Sequence, residues 1–448
     1  MTGRFEGADV VVVGAGVAGT AAAHALIQEG AHVRVTERRP ESEVAAVADL
    51  RSAGATVLAG GHDPAHLEGA TLVITGPGVP QDAPILEWAR EQGLPVWGEM
   101  ELGARLCEVP YVAVTGTNGK STTTGMIASC LRAGGLDAVA CGNIGYAFPT
   151  AAREAHDALV VECSSFQLQT QESLHPRVSV LLNLAPDHLD WHGSFAAYTQ
   201  AKAKIYARQG AGDVHVGNRD DGPAAQVSAA APCDVMWFRA GAPAGGEVGY
   251  EGGELVTRLR DEVRMGPVDG ERAGYRADAA AAAAAALAFG MTPDAVRQGL
   301  AAFEPLRHRG ETVASREGVR FIDNSKATNV HAALAAIDGV DDAVLVAGGR
   351  AKGVDLSPLA TRAGRLRAVV AIGESAPQIV RVFDGVCPTA VAASIENAVA
   401  EAFVLARPGG VVLLAPACAS WDQFENYGER GDRFAAAARA LGEVGAHG

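Results

Sequence analysis

Twice along the chain a short apolar run passes straight into a glycine turn and then into a helix-length segment: VVVVGAGVAG at 10–19 and YVAVTGTNGKST at 111–122. A strand that enters a helix through glycines opens a βαβ unit, and it aims backbone N–H groups at an anion. The rest of the sequence keeps this rhythm. Short apolar runs alternate with amphipathic stretches of helix length, which predicts parallel sheets covered by helices.

The first block predicts strands near 8–13, 31–36, 55–58, 70–75 and 94–97. A second block runs from YVAVTG through DALVVECSS (157–165) and VSVLLNLAPDH (178–188) to VGYEGGELVTRL (248–259), whose pattern is a Gly-turned antiparallel hairpin. A helical pair, 274–289 and 293–303, closes it, and the Ala run 279–286 reads as closely packed helix. A third block opens with a hairpin around EGVRF and continues with strands at 343–347, 367–372 and 411–415. At 448 residues the chain exceeds one ordinary core. The expected class is α/β in three domains: a Rossmann-like domain at 1–98, a P-loop ATPase-like central domain with added antiparallel strands at 99–305, and a Rossmann-like domain at 306–448.

A formal net charge of −15 argues against nucleic-acid and anionic-membrane partners. Seven cysteines form no CxxC pair, so reduced thiols are expected rather than a zinc site or disulfide framework. MTGRFEGADV has no basic n-region before an apolar h-region, and no apolar run reaches bilayer length; a cytoplasmic protein is expected.

The stretch TGTNGKST departs from the standard phosphate loop, because the place five residues before Gly119 holds Val114 rather than glycine. Its parts are nevertheless in working order. Gly116, Thr117, Asn118 and Gly119 can bring backbone to phosphates, Lys120 supplies a point charge, and Ser121 or Thr122 offers a hydroxyl to Mg²⁺. Phosphate transfer also needs metal ligands near the same strand ends. Glu162 ends the run ALVVE, and Asp187, His188 and Asp190 come after VSVLLNLAP. Lys202 and Lys204 come shortly after; on spacing alone Lys202 is an ordinary surface lysine.

In the first block, G-x-G-x-x-G with Glu37 ending the next run, read alone, predicts NAD or FAD. The fingerprint specifies only a diphosphate and a nearby ribose, and a UDP-sugar has both.

The stretches TGTNGKST, CGNIG (141–145), ECSSFQL (162–168), NLAPDHLDWH (183–192) and YTQAKAKI resemble the ATP-binding domain of the Mur ligases, which form amide bonds in bacterial cell-wall precursor synthesis. DNSKATN (323–329), AGGRAKGVDLS (347–357) and LLAPACASWDQFENYGERGDRF (413–434) resemble the members that add D-glutamate to UDP-N-acetylmuramoyl-L-alanine, and the similarity covers nearly the whole chain. The resemblance implies a monomeric ATP-dependent ligase working through an acyl phosphate, with ATP and two Mg²⁺ ions and neither NAD nor FAD.

By the same resemblance Lys120, Ser121 and Thr122 hold phosphates, and Ser121 and Glu162 hold the first metal. His188 helps hold the second, and Lys202 falls on a lysine the family carries as a carbamate. A carbamate is an anion suited to a hard cation, whereas an ammonium would be repelled. Arg309 would face the transferring phosphoryl group, and Asn324 would join the ATP site. Gly14, Gly16, Val17 and Ala18 would approach the UDP of the acceptor, with Glu37 and Arg38 near uridine, Gly76 and Gly78 in a second turn, and Asn143 on the acceptor. Lys326, Thr328, Lys352, Ser420 and Tyr427 would take glutamate.

Three places depart from the family pattern. GYRADAAAAAAA has Arg276 and Ala277 nearest the usual His-Asn pair, Asn324 stands where Asp is common, and Gly310 replaces an apolar residue. Three alternatives stay open: a ligase for L-glutamate or another acidic amino acid, a non-catalytic nucleotide-sensing relative, and a UDP-sugar or NAD-binding oxidoreductase.

Overall fold

DVVVV forms β1 (Asp9–Val13), the middle strand of a parallel sheet ordered β3-β2-β1-β4-β5 with β2 (His32–Glu37), β3 (Thr56–Ala59), β4 (Leu72–Thr75) and β5 (Val96–Gly98). Both faces are covered. Val10, Val12, Val35 and Leu72 pack on one side, while Val11, Val13, Val73 and Leu86 pack on the other. That is why the run is apolar throughout instead of alternating. The chain leaves β1 toward β2 on one side and returns beside it as β4 on the other, so a crevice opens at their carboxyl ends. α1 (Val17–Gln28) comes after β1, and α2 (Glu99–Leu106) comes after β5.

The structure is a computed structural model that describes residues 3–267, 273–304 and 306–441. It comprises two compact units, the first being Met1–Leu184, Thr199–Asp269 and Arg276–Phe303, and the second Ala185–Tyr198, Gly270–Tyr275 and Glu304–Gly448. No helix among the described residues is long and apolar enough to cross a membrane.

The first unit also holds a nine-stranded sheet, ordered β14-β13-β12-β11-β10-β9-β6-β8-β7. Its parallel part comprises β6 (Tyr111–Thr115), β7 (Ala138–Gly142), β8 (Ala158–Glu162), β9 (Val178–Leu181), β10 (Val214–Asn218), β11 (Asp234–Phe238) and β12 (Glu247–Glu251). β13 (Glu254–Thr257) and β14 (Val263–Pro267) add antiparallel, and the turn between β12 and β13 is the predicted Gly-Gly hairpin. Strands β7, β10, β11 and β14 lie outside the stretches that the sequence pattern marks as strand. α3 (Lys120–Ala133) leaves β6, and α4 (Phe195–Ala203) carries Lys202. The alanine run lies in α5 (Ala273–Phe289), where Ala279 through Ala286 are each 0% exposed. A helix buried all round tolerates this run because alanine loses no side-chain entropy and lets neighbours approach closely.

The second unit is built on a six-stranded sheet ordered β15-β16-β20-β17-β18-β19. β15 (Glu311–Arg316) pairs antiparallel with β16 (Val319–Asp323); β17 (Ala343–Gly348), β18 (Leu366–Ile372), β19 (Thr389–Val391) and β20 (Val411–Leu414) are parallel to β16. α6 (Tyr427–Ala440) closes the described chain.

Candidate active site

Gly116 and Gly119 give the loop after β6 its shape. Both have positive φ, at 156° and 83°, and a Cβ on Gly116 would lie 2.9 Å from Leu182 Cβ. Gly119 is the N-cap of α3 and brings no capping side chain, so the first-turn N–H groups face the loop's interior. Asn183, after β9, holds the loop from the neighbouring strand: its Oδ1 accepts Asn118 N–H at 2.8 Å, its Nδ2 donates to Asn118 O at 3.1 Å, and its carbonyl accepts Thr117 N–H at 2.9 Å. Lys120 curls back, and its Nζ donates to Gly116 O and Thr117 O, each at 2.9 Å. Ser121 and Thr122 are buried in the first turn.

Two more predicted residues lie near the root of this loop. Lys202, 1% exposed, donates from Nζ to Gly116 O at 2.7 Å and to Thr115 Oγ1 at 3.3 Å. On the adjoining strand Glu162 is 2% exposed; its Oε1 accepts Asn143 Nδ2 at 2.9 Å, while its Oε2 is buried without a partner. An orphaned carboxylate oxygen next to a phosphate loop fits a hard cation. Among the described residues no three His, Cys, Asp or Glu side chains gather into a cage.

Residues read from sequence as the UDP site line one cleft of about 450 Å³ in the first unit: Gly14, Gly16, Val17 and Ala18 from the first glycine loop, Gly76 and Gly78 from the second, and Asn143 opposite. The third fingerprint glycine has its own reason, since a Cβ on Gly19 would meet Gly14 O at 2.0 Å. Glu37 and Arg38 are not among the lining residues. Glu37 instead accepts Ala15 N–H at 2.9 Å and grips Arg39 through Nε and Nη2, both at 3.1 Å. The Arg39 bond prevails over burial and holds the Glu37 carboxyl down at about 2. It therefore fixes the glycine loop as an anion, while Arg38 is exposed.

Glu99, which no sequence motif marks, lines the same cleft at the start of α2. Burial pushes its carboxyl up to about 7 from 4.5, against the opposing hydrogen bond from Gln167. A carboxyl whose folded value lies above its unfolded one costs stability as pH rises between the two, here about 3 kcal/mol in full. Glu99→Gln is therefore expected to stabilise the protein at pH 8 by up to about 3 kcal/mol, with the gain fading toward pH 5. Urea denaturation at the two pH values measures this, and a variant with the same stability difference from the parent at both would refute it.

In the second unit the glutamate candidates lie around the carboxyl ends of β16, β17 and β20. Lys326 Nζ sits 4.0 Å above the Tyr427 ring, and Thr328 N–H donates to Lys326 O at 2.8 Å. Lys352 Nζ donates to Asp187 Oδ1 at 2.7 Å with both side chains nearly buried, and Asn329 Nδ2 reaches Asp187 Oδ2 at 3.1 Å. Burial raises the Asp187 carboxyl, but the charges of Lys352 and His188 outweigh it and hold it below the ordinary value. His188 itself has φ 52°, and its Nε2 lies 3.7 Å from Asp187 Oδ2. Ser420 is buried; Asn324, at the end of β16, donates its N–H to Leu414 O; Arg309 is half-buried.

Three further residues lie in stretches quoted above, yet nothing local in those stretches tells of the partners they have in the fold. Arg430, 0% exposed, donates to Ser325 Oγ at 3.0 Å, Ser325 O at 2.8 Å and Cys418 O at 3.1 Å, tying SKATN to the segment before Ser420. Asn183 lies inside the NLAPDHLDWH motif, where nothing local tells of its hold on the phosphate loop. Asp278 lies against that loop, where a Cβ on Gly119 would meet its Oδ1 at 2.1 Å. Arg276 stacks on Tyr250, its Cζ 4.7 Å from the ring centroid.

The chain matches three family descriptions in order: Mur ligase MurD-like, N-terminal domain, at residues 8–98; Mur ligase middle domain at 114–251; and Mur ligase, glutamate ligase domain, at 308–418. It is 43% identical to the UDP-N-acetylmuramoylalanine--D-glutamate ligase of Frankia casuarinae over 97% of this chain and 95% of that protein. It is 42% identical to the protein of the same name from Streptomyces avermitilis, over 98% and 99%. Among solved structures, UDP-N-acetylmuramate-alanine ligase from Thermotoga maritima aligns with TM-score 0.62 at 17% identity, over 96% of this chain and 99% of that one. MurF ligase from the same organism, solved in complex with ADP, aligns with TM-score 0.58 at 16% identity, over 90% and 95%. At such identities these two speak for the fold alone. Near full-length relatives at about two residues in five, and three matched regions in family order, show that the chain belongs to the Mur ligase family.

Proposed function

We propose that the protein joins D-glutamate to UDP-N-acetylmuramoyl-L-alanine at the expense of ATP, giving ADP and phosphate, in peptidoglycan precursor synthesis. The observation that carries this reading is the chain-long 43% identity to a ligase of that name. The work divides among the acceptor's nucleotide on 1–98, ATP on 99–305 and glutamate on 306–448.

The acceptor's terminal carboxylate attacks the γ-phosphate of ATP and becomes an acyl phosphate; the neutral amine of glutamate then attacks the activated carbonyl, and phosphate leaves as the amide forms. The α3 N-terminus and Lys120 hold the phosphates, and Arg309 offsets charge on the transferring group. Ser121 and Glu162 would hold Mg²⁺, with the carbamate of Lys202, and His188 is assigned to a second ion on the family resemblance; the metal supplies neutralisation of phosphate charge. Lys326, Thr328, Lys352, Ser420 and Tyr427 recognise glutamate by fixed cations and donors. The phosphate loop and Lys202 have no use in an oxidoreductase.

The direct test is product formation from ATP, Mg²⁺ and UDP-N-acetylmuramoyl-L-alanine with each glutamate enantiomer. D-Glutamate should be consumed and L-glutamate should not; the reverse, or no ATP turnover with either, would overturn the reading. Lys352→Ala is expected to raise KM for D-glutamate about 10- to 100-fold, the range for losing a charged hydrogen bond, with KM for ATP changed less than about twofold. Equal rises in both would remove Lys352 from the glutamate site.

A further inference from the structure

The cleft carrying the two glycine loops has one wall unsuited to a diphosphate. Glu99 and Gln167, 3% and 4% exposed, both line it. Gln167 cannot turn its amide around. Its Oε1 accepts Ser164 N–H at 2.9 Å and Ser164 Oγ–H at 2.8 Å, which leaves Nε2 to donate to Glu99 Oε1 at 2.7 Å. The amide keeps one further N–H, and the carboxyl keeps lone pairs.

Chemistry separates the two sides of the cleft. Gly14 and Gly16 precede α1, whose N-cap brings no side-chain hydrogen bond, so that side offers N–H groups to an anion. Where Glu99 is ionised a phosphate placed against it would be repelled, and where it is protonated the wall offers only one O–H and the remaining Gln167 N–H. The Glu99 wall therefore suits a neutral group able both to donate and to accept. A sugar nucleotide of the acceptor's kind carries such groups directly beyond its diphosphate, as the hydroxyls and the acetamido group of the sugar.

We propose that the Glu99–Gln167 pair is a specificity determinant of the acceptor cleft, taking a hydroxyl or acetamido group of the sugar next to the diphosphate. This rests on the reading of the cleft as the acceptor's UDP site.

Calorimetric titration of the full-length protein with UDP and with UDP-N-acetylmuramoyl-L-alanine tests it without turnover. Glu99→Ala should weaken the acceptor about tenfold or more while UDP stays within about twofold of the parent. Glu99→Gln keeps an acceptor for Gln167 and should stay within about threefold for both ligands. Gln167→Ala, an independent substitution, should show the same selective loss as Glu99→Ala, and melting curves accompany every variant. Unchanged acceptor affinity in both alanine variants, or equal loss of UDP and acceptor, overturns the proposal while leaving the cleft's assignment standing. Absence of UDP binding by the parent overturns both.

Discussion

Alanine at Lys120 is expected to abolish amide formation, with a fall in kcat of about 10³-fold or more. The reason lies in where the ammonium already is. Lys120 Nζ is held by the carbonyls of Gly116 and Thr117 at 2.9 Å, inside the curve of a loop whose glycines have positive φ. The loop's own backbone holds it there, so the charge is set before ATP arrives and costs little reorganisation when phosphate charge shifts. A backbone cradle alone can still bind an anion, so the alanine variant should retain ADP binding within about tenfold. Lys120→Arg should not restore turnover, because a planar guanidinium cannot replace a compact ammonium folded under the loop. Phosphate release and product formation at saturating substrates measure the effect. A variant retaining a tenth of the parent kcat would end the assignment of 116–122 as the catalytic phosphate loop.

Burial decides which parts of this fold are legible in one dimension. Runs such as VVVV at 10–13 and ALVVE at 158–162 are apolar on both faces because helices cover both sides of a parallel sheet, and the sequence pattern marks those strands within a residue or two. It does not mark β10. HVGN carries a buried His215, which bonds Ser179 Oγ at 2.6 Å and Ser228 Oγ at 2.9 Å and which burial drags down to about 3. A neutral histidine satisfied by two serines from distant sequence is tolerated inside, yet it reads as polar in one dimension.

The same contrast holds for the sites. Glycine turns and Lys-Ser are local, and they announce themselves. Asn183 and Arg430 act on segments 65 and 105 residues away, so no window of sequence could reveal their partners. Glu37 is conspicuous by its place in a fingerprint. Its neighbour Arg39, which neutralises it, sits one residue beyond the arginine that the pattern suggests. Glu99 has no motif at all; only the closeness of Gln167, 68 residues on, marks it.

Lys202 makes the second large prediction, and it separates two roles for one nitrogen. As an ammonium, its bonds to Gly116 O and Thr115 Oγ1 brace the start of the phosphate loop. As a carbamate it would carry negative charge toward a hard cation near the orphaned Glu162 Oε2. Lys202→Ala is expected to lower kcat by about 10²- to 10³-fold under either role, because a buried group at the root of the loop is lost. The roles part on rescue. If the carbamate works, short carboxylic acids should restore part of the activity of Lys202→Ala, while Lys202→Arg, which keeps the positive charge, should stay dead. If the ammonium works, Lys202→Arg should recover more than Lys202→Ala, and acids should do nothing. Carbon-13 NMR of the parent protein in labelled bicarbonate gives a readout independent of turnover: a carbamate resonance that vanishes in Lys202→Ala supports the anionic role, and its absence at saturating bicarbonate removes it.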